Sequence, residues 1–446
     1  MFLSVLKSNN FICTAVIDAV KRPVLADKVF LFLITAYYIV AYCFPYLFWF
    51  KVSFIIFAVI GYGLFLLSKI LKDKENLVPS GQDWPLTWLS IFSLWAIFNL
   101  IDQLGIAAIK DMAFFFIISL PMMLLATSRI INNYQIKYII GLFLFFMSIQ
   151  LVIVFGQMAL HLTGYGFYLP ATLNPEIEKH YLNMLTGSFF NANDLGAVSL
   201  MIAAFFLVAN NYSSIVVNAN SVVESKAKVS MFTLGLVIAT ILILLTASRS
   251  AMMIVAITLV VFSLRQSWIK GLLLLMLLSV IISILVAIGS EYFDNISFLQ
   301  RVIWRLESLV AVLTGAATSD NSIVTRIDSY VNFIIQLPVI GLGTGVLRDY
   351  TVFVEPIFKS DLYYVFAVNP HSFFVEIGYW LGWPGLILFF LFLTSYNIDF
   401  CFLFAIFIFF MTGMISSSVI NNFMFFMAFL SAMPLFQRKN DYLNYD

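Results

Sequence analysis

The chain has 446 residues, 62% of them hydrophobic and only 11% charged, a balance that excludes the soluble globular classes. Its formal net charge of +1 gives no reason to expect a nucleic-acid partner. Three scattered cysteines, Cys13, Cys43 and Cys401, lack metal-ligand spacing and are read as small core residues.

From the start of the chain, Asp18 interrupts a weak apolar run and Lys21-Arg22-Pro23 follows it, which is not the form of a cleaved signal peptide. The first span is expected to serve as the targeting signal. Apolar runs that approach the roughly 20 residues needed to cross a bilayer predict helices near 29–50, 52–68, 85–101, 112–128, 138–160 and 193–209. A second set is predicted near 231–247, 251–265, 271–289, 373–394, 400–414 and 418–436. The expected fold class is therefore an all-α polytopic membrane protein of about 12 transmembrane helices. Residues 1–289 hold helices 1–9, residues 290–371 form an extracytoplasmic loop, and residues 372–446 hold helices 10–12 and a cytoplasmic tail.

Basic residues set the orientation. With both termini cytoplasmic, fifteen Lys and Arg fall on the inner side, among them Lys69, Lys72, Lys137, Lys226, Lys228 and Arg265. Four, Lys51, Lys110, Lys179 and Arg249, fall in short outer connections, and the remaining five lie in the long loop, where the rule does not apply. The two six-helix halves show no repeat in their breaks, which weakens a transporter reading.

In the long loop, Leu299, Val302, Ile303, Leu306, Leu309, Val310 and Leu313 recur at helical spacing and predict an amphipathic helix on the membrane surface. Its Arg301 and Arg305 are placed to meet lipid or substrate phosphate, or simply to snorkel. A second helix is predicted from Arg326 to Leu337, ended by Pro338. The glycines of Gly341-Leu342-Gly343-Thr344-Gly345 lack the spacing and preceding strand of a nucleotide site and read as a tight turn.

The loop closes with Asn369-Pro370-His371-Ser372-Phe373. Asn as cap and Pro at the first helical position put His371 in the first turn of the next helix, where the helix dipole disfavours imidazolium. A neutral imidazole there is able to accept a proton; the plain alternative is an interfacial histidine with no task. His161 and His180 have no neighbouring pattern that gives them one. Arg249 sits in Thr246-Ala247-Ser248-Arg249-Ser250 between two spans. Either it snorkels, or its planar fork of donors holds an anion such as a lipid-linked diphosphate at headgroup depth.

Four patches, in order, now carry a resemblance. They are Gly187-Ser188-Phe189-Phe190-Asn191-Ala192-Asn193-Asp194-Leu195-Gly196, then Thr246 to Ser250, then Arg326 through Pro338 to Gly345, and finally Pro370-His371 through Glu376 to Gly382-Trp383-Pro384-Gly385. Together they resemble the O-antigen polymerase and O-antigen ligase superfamily of bacterial membrane glycosyltransferases. The chain departs from that pattern at Ser372, where Asn often follows the histidine, and at Tyr330, where Trp is frequent.

The resemblance implies a GT-C-like enzyme of the bacterial cytoplasmic membrane. It would transfer oligosaccharide from undecaprenyl diphosphate to an acceptor sugar hydroxyl on the outer face, without metal or other cofactor and with inversion. By motif, His371 corresponds to the base, and Arg249 and Arg326 to the diphosphate clamp. Asn191 and Asn193 are candidates for binding sugar hydroxyls, with helix capping as the equal alternative. Glu376 is about 140° round an ideal helix from His371 and is a candidate cavity residue. The implied partners are the lipid-linked oligosaccharide, an acceptor glycan, membrane lipids, and flippase and chain-length regulator proteins. A polymerase is the first expectation and a ligase acting on lipid A core the second. A transporter or flippase is the rival from another class.

Overall fold

The computed structural model describes residues 84–101, 133–165, 184–189, 191–216, 222–246, 248–266, 373–396 and 400–413, with isolated positions at 269, 276, 334, 339, 340, 398, 428, 429, 432 and 433. These form seven helices in chain order: α1 (Trp84–Ile101), α2 (Asn133–Leu162), α3 (Ala192–Val216), α4 (Val222–Leu245), α5 (Arg249–Gln266), α6 (Phe373–Thr394) and α7 (Phe400–Gly413). No strand occurs among the described residues. The expected spans at 29–50, 52–68 and 112–128 lie outside the described residues, as do most of those at 271–289 and 418–436. So does the long loop, apart from helical Ile334 and a bend at Val339 and Ile340.

Ile139–Leu162 of α2 and Ala192–Ala209 of α3 are long and apolar enough to cross a membrane. The two are placed differently. Of the α3 stretch 89% is buried within the protein, against 44% of the α2 stretch, so α3 is the central helix and α2 a peripheral one. α3 packs against α2, α4, α5 and α7, while α1 pairs with α6. Large apolar side chains stay exposed on the outside of the bundle, including Leu94 and Phe98 on α1, Phe145 and Val152 on α2, and Leu403 and Phe407 on α7. Water does not tolerate so extended an apolar exterior, and lipid does.

The α3–α4 contact is set by size. Phe206 of α3 lies against Gly235 of α4 so closely that a methyl group there would overlap its ring. Phe205 and Phe206 continue edge-to-face onto Phe143 and Phe232, which ties α2, α3 and α4 into one aromatic core.

Hydropathy alone delimits α1, α6 and α7 to within a residue or so. α4, expected at 231–247, instead begins at Val222, because its backbone hydrogen bonds continue through the polar turns around Glu224, Lys226 and Lys228 where the apolar signal stops. α6 departs more deeply from expectation. Gly382 leaves the helical region (φ 66°, ψ −168°) and Pro384 follows it. In a straight helix residues 374 and 390 would stand about 24 Å apart along the axis. Yet the rings of Phe374 and Phe390 both stack on Phe410 of α7, at 4.2 and 5.7 Å. The predicted single span at 373–394 is therefore two helical arms, 373–381 and 383–394, folded sharply at Gly382. Glycine is required at that bend because other L-residues rarely adopt its conformation.

Candidate functional site

The first sequence patch folds into a buried loop and the start of α3. Met184, Leu185, Thr186, Ser188 and Phe189 are all buried, so their backbone groups need partners within the protein. Two carboxamides on α2 supply them. Gln150 and Gln157 are seven residues apart, two helical turns, so both project from one face, and both are fully buried. The N–H of Gly187 donates to Gln157 Oε1 and that of Ser188 to Gln150 Oε1, each at 2.9 Å. In return Gln150 Nε2 donates to Ser188 Oγ at 2.7 Å, and Gln157 Nε2 donates to Thr186 Oγ1 and the Gly187 carbonyl, both at 3.3 Å. A turn bond from Phe189 N–H to the Thr186 carbonyl closes the loop, and Phe189 rests edge-on against Phe146. Gly187 has φ +60°, and a Cβ there would stand 2.6 Å from Gln150 Oε1. The glycine is demanded by backbone and space alike.

Position along α2 gives the depth of this loop. Gln157 and Gln150 precede Leu162, the last residue of α2, by five and twelve positions, or about 8 and 18 Å of rise. The loop is thus recessed between helices rather than spread over the end of the bundle. Irregular backbone at such depth is tolerated only when buried in protein with its polar groups paired, and the two glutamines meet that condition.

Asn191 caps α3. Its Oδ1 accepts from the Asn193 N–H at 2.9 Å, and its carbonyl accepts from Asp194 and Leu195. Of the two readings open for Asn191, the structure displays the capping contact. Asn193 is half-buried in the first turn, and Asp194 is buried there, with its carboxylate at the end of the helix where a negative charge is favoured.

The second patch meets the first at this point. Gly196 lies so close to the α4–α5 connection that an added Cβ would stand 3.0 Å from Ser248 Cβ, 3.3 Å from Thr246 Oγ1 and 3.4 Å from Ala251 Cβ. Thr246 closes α4, its N–H bonding to the Leu242 carbonyl and its hydroxyl to that of Ile243. Ser248 opens α5, its carbonyl accepting from Met252 N–H. Its Oγ is buried without a hydrogen-bond partner. Arg249 is the first residue of α5. Residues fifty positions apart in sequence thus bring together the beginnings of α3 and α5, two helix ends that carry partial positive charge.

Glu376 lies in the first arm of α6 by its backbone position. His371, Arg326, Arg301 and Arg305 lie outside the described residues. The residues missed in reading the sequence are Gln150 and Gln157. A signal was present in two carboxamides on one face of an apolar span, since polar side chains at such places are held by partners. Trp95 was also missed: from α1 its Nε1 donates to the Leu381 carbonyl at 2.7 Å, at the bend of α6.

No curated protein and no solved structure matches the chain. A family model described as O-antigen ligase matches residues 234–390, which run from α4 through α5 to the second arm of α6 and contain three of the four patches. Over that stretch, about a third of the chain, it is similar to the O-antigen ligase family.

Proposed function

We propose that the chain is a polysaccharide polymerase that joins lipid-linked oligosaccharides on the outer face of the bacterial cytoplasmic membrane. In this reading it is a multi-pass protein with both termini cytoplasmic, and the beginnings of α3 and α5 face outward. The observation that carries it is the contact of Gly196 with Thr246 and Ser248. It joins two patches of the family pattern at one place, with Arg249 at the head of a helix whose dipole favours a bound anion.

The chemistry follows from the donor. The acceptor hydroxyl oxygen attacks the anomeric carbon from the side opposite the diphosphate, and the C–O bond to the diphosphate breaks with inversion. His371 takes the hydroxyl proton, and the electron pair leaves on undecaprenyl diphosphate. Diphosphate is already a good leaving group, so fixed donors on its developing charge matter more than protonation. Arg249 and Arg326 fill that role, and the base adds about 10² to 10⁴ in rate. Asn193 and Glu376 contact sugar hydroxyls. Asp194, a buried charged side chain, sits at the beginning of α3 rather than at midspan, which favours transfer over transport.

The matched family's description favours a second reading, ligation to lipid A core. One experiment separates these readings. Purified protein in detergent is given lipid-linked glycan extracted from host membranes, with or without lipid A core, and products are resolved by length. Polymerisation yields a ladder without lipid A core; ligation yields product only when it is present. His371→Ala abolishes the ladder while the protein stays folded, and a wild-type ladder from this variant rejects the base assignment.

A further inference from the structure

A helix that breaks must still satisfy the carbonyls of the turn before the break. Pro384 offers no N–H, and Gly382 turns the chain out of helical geometry, so the carbonyls preceding the bend lose their regular donors. One of them, that of Leu381, is taken by an indole N–H from another helix, Trp95 Nε1 at 2.7 Å. The indole ring also stacks on Phe98 at 5.5 Å. Three residues earlier on α1, Phe92 meets Phe389 of the second arm at 6.0 Å, so α1 touches both arms. The first arm is packed inward, with Val375 and Ile377 each 1% exposed, and Phe374 is stacked on α7.

We propose that Trp95 is a positioning residue. Its indole N–H latches the apex of the folded α6 and thereby sets where the arm 373–381, which carries Glu376 and begins two residues after His371 in the sequence, stands relative to α1 and α7. The inference rests on the polymerase reading only for its effect on catalysis; the latch itself does not depend on it. Removing the donor leaves the arms free to change their angle. A misplacement near 1 Å of groups preceding a reacting centre lowers turnover by up to about a hundredfold, and binding remote from the centre is unaffected.

The test uses the full-length protein in detergent with Trp95→Phe, which keeps an aromatic ring against Phe98 and loses the donor together with part of the ring volume, a loss that the control shares. Trp88→Phe, two helical turns earlier on the same helix, is the control for loss of an indole. Hydrogen exchange read by mass spectrometry is expected to speed up in peptides covering 373–386 for Trp95→Phe alone, with peptides from α2 and α3 unchanged. Extension of host-extracted lipid-linked glycan is expected to show kcat down about tenfold or more at unchanged KM. Exchange at 373–386 equal to wild type overturns the latch, whatever the activity. Faster exchange with unchanged kcat overturns the positioning role. If wild-type protein does not extend glycan while exchange still responds, the latch stands and the polymerase reading falls.

Discussion

Gln150 Oε1 accepts the backbone N–H of Ser188 at 2.9 Å and stands 2.6 Å from where a side chain on Gly187 would begin. The carboxamide therefore holds the loop and forbids any residue but glycine at its turn. Gln150 cannot swing aside, because its Nε2 is also engaged by Ser188 Oγ. Gly187→Ala should lose about 1 to 2 kcal/mol to the positive φ and about 1 to 3 kcal/mol more to overlap. Thermal unfolding in detergent should show a drop of several degrees. A midpoint within a degree of wild type would mean that the loop is not gripped this way.

The glutamines themselves can be tested in pairs. Gln157→Leu keeps most of the volume but leaves the Gly187 N–H buried without its acceptor, at about 1 to 3 kcal/mol. Gln150→Leu does the same to Ser188. Because both act on one loop, the double variant should lose less than the sum of the two singles, as measured by denaturation midpoints. Strict additivity would argue that the two carboxamides hold separate structures.

How much of this was readable in advance varies with the kind of interaction. Apolar run length placed α1 and α7, because burial and lipid exposure act on every residue of a span alike. The capping of α3 by Asn191 was equally local, as an Asn before an apolar run already offers an oxygen to the N–H two residues on. The grip of Gln150 on Ser188 was not local: 38 residues separate them, and either carboxamide alone reads as a generic interhelical contact. The bend of α6 was half legible. Gly382 and Pro384 announce an interruption, but its sharpness is held by Trp95 from 286 residues away, which no window along the chain contains. Of the candidate site, the meeting of Gly196 with Ser248 followed from no spacing rule, and the roles of His371 and Arg326 remain at the level of the family pattern.

Gly196 offers a separation of stability from function. An alanine there gains about 1 kcal/mol of helix propensity, while its methyl group must push Ser248 and Thr246 away by a few tenths of an ångström, at a cost of about 1 kcal/mol. The two nearly cancel, so the melting midpoint should stay near that of wild type. The start of α5, with Arg249, is nevertheless displaced from α3, and glycan extension should slow about tenfold, as displacement of a substrate-positioning group predicts. Gly196→Val adds two more methyl groups and should destabilise as well. Unchanged extension by Gly196→Ala would show that the α3–α5 contact does not shape the site.

Arg249 gives the sharpest test of the anion site. Arg249→Lys keeps the positive charge at the first position of α5 but replaces a planar fork of donors with a single ammonium group. A clamp on diphosphate uses the fork bidentately, so the lysine variant should bind lipid-linked donor more weakly by about tenfold, equivalent to about 1.4 kcal/mol. Arg249→Ala should bind more weakly still. A residue that merely snorkels would behave otherwise, since lysine reaches the interface as well as arginine does and the two would be interchangeable. Donor affinity measured by titration in detergent decides between them. Equal affinity for wild type and Arg249→Lys removes the clamp, even if Arg249→Ala is impaired.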